Sequence, residues 1–157
     1  MANTLHDLDP DTIKTLQDLT RVLHDSQNAL TDAGAQVSDP QAAQLFYDLG
    51  TKRAKMEHEL RQFIETNQDE APSGGTMMGN LQTMWMELRT SLSGGDATVV
   101  LNEMERLEDF IVAEYKRLLP KVAGSPLTSL LNSQFAEVKE GHDRVRDLRD
   151  LKREQSS

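Results

Sequence analysis

Residues 38–63 read SDPQAAQLFYDLGTKRAKMEHELRQF, and their spacing decides the fold class. Within this stretch Ala42, Phe46, Leu49, Arg53, Met56, Leu60 and Phe63 recur at alternating steps of four and three. That rhythm puts all seven on one stripe of an α-helix, because a helix turns once every ~3.6 residues. Asp39-Pro40 supplies a start signal, and Ser38 with Gln41 three residues on has the spacing of a capping box. The reading is a helix over about 39–67, ending before Pro72-Ser73-Gly74-Gly75.

The same punctuation repeats along the chain. Asp9-Pro10 opens a helix over about 10–33, whose row Ile13, Leu16, Thr20, Leu23, Gln27 and Leu30 runs to a stop at Gly34. A shorter helix over about 76–92 carries Met77, Leu81, Met84, Trp85, Leu88 and Leu92, then meets Ser93-Gly94-Gly95. Asp96 caps a helix over 97–119 with Val100, Met104, Leu107, Ile111, Glu114 and Leu118 in register. Ser125-Pro126 opens the last, over 126–153, with Leu127, Leu131, Gln134, Val138, Gly141, Val145 and Leu148 as its seam. Residues 1–9 read as a tail, and residues 154–157 are expected to fray.

Aromatic residues make up only 4% of the chain and strand formers are sparse, so the class is all-α. Four helices of this length are each roughly 35 Å long. Short links join the first pair and the last pair into antiparallel hairpins. The shorter helix spans about 25 Å and can return the chain to its starting end, so the second and third long helices run parallel. Two antiparallel hairpins joined by one long crossover are the ferritin-like four-helix-bundle topology.

With 157 residues, one domain over 10–153 is expected. Seventeen Lys and Arg against 26 Asp and Glu give a net charge of −9, a field that opposes nucleic acid and anionic membranes. Cysteine is absent, which excludes disulfides, thiolate nucleophiles and Cys-ligated metals. No apolar run reaches the ~18 residues of a membrane span, and the opening MANTLHDLDPD lacks the regions of a signal peptide, so a cytoplasmic location is expected.

Several short motifs carry a family likeness. They are Leu45-Phe46-Tyr47-Asp48-Leu49 with Arg53, Trp85-Met86-Glu87-Leu88, Ser93-Gly94-Gly95-Asp96, Glu105-Arg106-Leu107-Glu108-Asp109 with Tyr115, and the run from His142 to Asp150. Over about residues 15–150 the chain resembles a bacterial family of ferritin-like four-helix-bundle proteins whose function is unassigned. The resemblance implies the fold and assigns no activity. The chain departs from that family's pattern at Leu107, where a glycine is usual, and at Gln82, where a histidine is common.

A ferritin-like fold raises the question of a carboxylate-bridged di-iron centre, which needs a Glu from each of two helices and Glu-x-x-His from the other two. No glutamate here has a histidine three residues later, and the first glutamate in the chain is Glu57, so the first helix offers none and only Asp18, Asp25 or Asp32 could substitute. The Glu-x-x-Glu pairs Glu105 with Glu108 and Glu137 with Glu140 read as surface carboxylates, with Glu105 and Glu140 facing solvent. A hemerythrin-type centre needs more histidines than the four present. His58-Glu59-Leu60-Arg61-Gln62 matches part of a phosphoacceptor context, yet Glu57 and Glu59 would repel a phosphoryl group there.

Arg53 is the informative oddity, since it occupies a seam position where an apolar residue would stabilise more. A buried arginine needs a carboxylate. Counting from the loops sets it near the middle of the bundle, level with Leu19 and Thr20 of the first helix and with Glu103 and Glu108, which flank the seam, with His142 opposite Glu103 and Met104 and Gly141 leaving space. The expectation is a mid-bundle polar layer of Arg53, Glu108 and His142, with Glu103 as a substitute carboxylate and Gln27, Glu114 and Gln134 as lesser intrusions. Such a layer serves to fix pairing and register, and Glu103, Glu108 and His142 are the candidate ligands if a metal binds.

Met77, Met78, Met84 and Met86 surround Trp85 and pack the crossover helix. Arg144, Arg146, Arg149, Lys152 and Arg153 are interleaved with acids, which makes a solvated helix end. No phosphate-binding loop follows a strand. The expected function is a non-catalytic interaction or structural module with no cofactor, which self-associates or binds a protein partner. The alternative is a metal-dependent bundle with a non-standard carboxylate and histidine site.

Overall fold

The computed structural model describes residues 10–66 and 79–156, and every regular element in them is helical. The expected cap at Asp9, the stop at Pro72 to Gly75, and Met77 and Met78 lie outside the described residues. The order is α1 (Pro10–Gln36), α2 (Pro40–Thr66), α3 (Gly79–Gly94), α4 (Ala97–Leu118), a 3-10 turn (Leu119–Val122) and α5 (Leu127–Gln155).

Local chemistry explains most boundaries. The Asp39 carboxylate accepts from the Ala42 amide at 2.9 Å, so Asp39 rather than Ser38 caps α2. Asp96 accepts from the Thr98 amide at 2.9 Å at the start of α4. Gly95, with φ of +76°, ends α3 in the left-handed region that a glycine enters without strain. Gly34 does not stop α1. The helix continues to Gln36, and Gly34 is buried with the Tyr47 ring against its backbone, where a Cβ would lie 3.2 Å from three ring carbons. At the far end α5 stays helical through Gln155, two residues beyond the expected end.

Pairs of side chains show how the long helices run. Ser26 meets Arg53 and His24 meets Glu57, so α1 and α2 are antiparallel. Tyr115 meets Gln134 and Asn102 meets Arg149, so α4 and α5 are antiparallel. Asp48 meets Arg144 and Lys52 meets Glu140, so α2 and α5 are antiparallel as well. α2 and α4 therefore run parallel. Contacts close a ring in the order α1, α2, α5, α4, and α3 lies against α4 and α1. Leu16, Leu23, Phe46, Leu60, Ile111, Leu131 and Val138 fill the centre. Full burial of each stabilises the fold by about 2 kcal/mol.

The buried row of α1 differs from the expected one. It is Leu16, Leu19, Leu23, Ser26, Leu30 and Ala33, also at steps of three and four, while Gln27 is only half-buried. Thr20 is buried too, and its hydroxyl donates to the Leu16 carbonyl at 2.8 Å.

Candidate functional site

The polar centre of the molecule is an ion pair across the ring. Arg53 of α2 and Glu108 of α4 sit on the same seams as their apolar neighbours, and each side chain is 1% exposed. The guanidinium donates through Nη1 to Glu108 Oε2 at 2.7 Å and through Nη2 to Oε1 at 2.5 Å. Nη1 also donates to Ser26 Oγ at 3.0 Å. Burial alone pulls the guanidinium toward neutrality, but the Glu108 charge and its hydrogen bonds outweigh this and leave the arginine pKa raised. Gly141 of α5 makes room for the pair, since a Cβ there would lie 3.2 Å from both Arg53 Nη2 and Glu108 Oε1.

A second polar group lies about two turns along. The buried Tyr115 hydroxyl donates to Gln134 Oε1 at 2.8 Å, and Gln134 Nε2 donates to the Met56 carbonyl and to Glu59 Oε1, both at 3.2 Å. Burial pushes the Tyr115 phenol far up, so it stays a neutral donor. Beside Ser26 and Glu108 a narrow cavity of about 10 Å³, room for one water, is bounded by Asp25, Leu107 and Trp85. Asp25 Oδ2 is buried there without a hydrogen-bond partner. Burial raises its pKa, an effect opposed by His24 and reinforced by Glu57.

The other expected residues lie apart from this centre. His142 follows Gly141 and so is rotated about 100° around α5, away from the seam. Its ring is 19% exposed and meets Asp109 through Nε2 at 2.7 Å and Asp143 through Nδ1 at 3.0 Å. The polar layer thus comprises Arg53, Glu108 and Ser26, without His142. Glu103 pairs with Arg106 at 3.0 Å and does not reach Arg53. Glu103, Glu108 and His142 therefore take three different partners. Among the described residues no three His, Asp or Glu side chains converge as ligands of one metal.

Glu105, expected in solvent, is covered by the Arg149 side chain that pairs with it, whereas Glu140 is exposed. Glu114 is half-buried and paired with Arg117. Met84 and Trp85 pack on the core, while Met86 is 61% exposed. His58 is exposed. Ser26, Tyr115 and Glu57 are further buried groups that carry polar atoms. Ser26 is legible once the α1 row is counted through Leu19, and Tyr115 lies one turn beyond Ile111 on the α4 seam. Glu57, 7% exposed, adjoins the seam residue Met56 and accepts from Arg61 Nε at 2.7 Å and His24 Nδ1 at 3.1 Å.

A domain of unknown function, DUF2383, matches residues 11–121. The chain belongs to the DUF2383 family. The match takes in α1 to α4 and hence Ser26, Arg53 and Glu108, while Gly141 and Gln134 come from α5, outside the matched residues of this DUF2383 protein. No curated protein matches the chain. Among the described residues of this family member, no helix is long and apolar enough to cross a membrane.

Proposed function

We propose that this DUF2383 protein is a non-catalytic, ferritin-like four-helix bundle that serves as an interaction or structural module in the bacterial cytoplasm and lacks a standard di-iron centre. The observation that carries this reading is the Arg53 guanidinium held by Glu108 and Ser26 at mid-height between the helices. A metal bridged by carboxylates needs that same space to hold a cation, and here a fixed organic cation fills it with its charge already matched. The parallel course of α2 and α4, with α3 in the intervening segment, supports the ferritin-like topology.

The test is metal analysis by plasma mass spectrometry on untagged protein loaded in parallel with Fe(II), Mn(II) and Zn(II). Substoichiometric metal is the expected result. Stoichiometric metal that disappears in Glu108→Ala or His142→Ala would overturn the proposal in favour of a non-standard metal site. The interaction role further requires a mass that grows with concentration or a partner that co-purifies from the source cytoplasm. A monodisperse monomer with no co-purifying partner would remove that part of it.

A further inference from the structure

Three histidines fall within the described residues, and their surroundings differ in a way that matters for reactivity. His142 has both ring nitrogens engaged by carboxylates, Nε2 by Asp109 at 2.7 Å and Nδ1 by Asp143 at 3.0 Å. An acidic side chain thus covers each ring nitrogen and would repel an incoming anion. His58 is exposed on the outer side of α2, where no hydrogen bond fixes its tautomer. His24 combines what the other two lack. Its Nδ1 lies 3.2 and 3.1 Å from the two oxygens of Glu57, and a third of its side chain, 33%, is open to solvent.

A carboxylate only accepts, so the neutral ring that donates to Glu57 through Nδ1 keeps its lone pair on Nε2. The carboxylate is itself held, being 7% exposed and bound by Arg61 Nε at 2.7 Å. These contacts hold it facing Nδ1. This is the arrangement that orients an imidazole and stabilises the positive charge the ring gains when Nε2 forms a bond. Arg61 binds Glu57 at 2.7 Å and offsets the charge that would repel an incoming anion, while Arg21, one turn before His24 on α1, is paired with Asp18 at 3.0 Å.

We propose that His24 Nε2 is a phosphoacceptor, taking a phosphoryl group from small nitrogen- or acyl-bound phosphate donors, with Glu57 as its positioning residue. With phosphoramidate, the Nε2 lone pair attacks phosphorus as the donor P–N bond breaks. Ammonia leaves with that electron pair, and the phosphorylated ring is cationic until the Nδ1 proton is released, the charge facing Glu57 meanwhile. No oxidant or metal is required. The proposal is independent of the structural role argued above, since a module can carry a modification on its surface.

The test uses the full chain and phosphoramidate, with each histidine followed by mass spectrometry and by 31P NMR. His24 is expected to react about tenfold faster than His58, well within what an oriented carboxylate contributes. Glu57→Gln, which keeps an acceptor but not the charge, should bring the His24 rate down to that of His58 and leave His58 unchanged. Equal rates at His24 and His58 in the unaltered chain would overturn the proposal without any variant. An unchanged His24 rate in folded Glu57→Gln protein would overturn the role of the carboxylate.

Discussion

Arg53 and Glu108 each depend on the other to be tolerable where they are. Removing one partner leaves a buried charge without compensation, which costs about 3–5 kcal/mol, whereas exchanging both for apolar groups of similar size is often neutral. Glu108→Ala and Arg53→Met should each lower the unfolding free energy read from urea curves by that much, and Arg53→Met with Glu108→Leu should be more stable than either. Additive losses in the double variant, or single losses under about 1 kcal/mol, would show that water already solvates the pair. The pair was legible because a charged residue on an apolar stripe must find its counterion, and the parallel course of α2 and α4 limits the search to a few turns. Ser26 lies on a helical row, but equal counting from the loops sets Leu19 and Thr20 level with Arg53, about two turns from the Ser26 that the structure brings there. His142 was not separable from the layer by position alone, since neighbours of seam residues such as Glu57 beside Met56 are buried; its carboxylate partners Asp109 and Asp143 decide its place.

The helix starts depend on single side chains, and Asp39 is the clearest case. It caps α2 and also receives Lys152 of α5 at 2.9 Å. Burial alone would raise its pKa, but Lys152 and the Ala42 amide outweigh that and hold it below the usual carboxylate value. A group with a depressed folded pKa contributes stability above its unfolded pKa, about 3.9, and loses it as the pH falls through the folded value. Asp39→Ala should therefore cost about 1 kcal/mol at pH 7, a difference that shrinks in denaturation curves taken below pH 4. A constant difference across that range would mean that the carboxylate charge is not what matters. Start signals of this kind are local and were readable, as Asp96 also shows. Gly34 is not readable in this way, because a glycine that stops a helix and one that admits a neighbouring ring look identical until the neighbour, here Tyr47, is known.

At the scale of the whole molecule, the informative contact is the one between α2 and α5. In a simple up-and-down arrangement these two helices would sit on a diagonal, and here they are neighbours. Lys52 lies 3.6 Å from Glu140 and Lys152 lies 2.9 Å from Asp39, both pairs joining α2 to α5. A carbodiimide, which joins an amine to a carboxylate without a spacer, should yield Lys52–Glu140 and Lys152–Asp39 linked peptides. Recovery of links from α2 to α4 lysines and carboxylates, with none to α5, would mean a different neighbour order. The lengths of the helices and the crossover pointed to parallel α2 and α4. The polar pairs that bind α5 to α2 lay beyond that reasoning, because they depend on rotation about each helix axis.

The Lys152 ammonium also reaches Gln41 Oε1 at 2.5 Å, so the last turns of α5 clasp the first turn of a helix that begins more than a hundred residues earlier. Trimming the chain at Leu151, or splicing a rigid fusion onto α5 just there, would thus be felt first at Asp39 and Gln41, as fraying of α2 from its beginning.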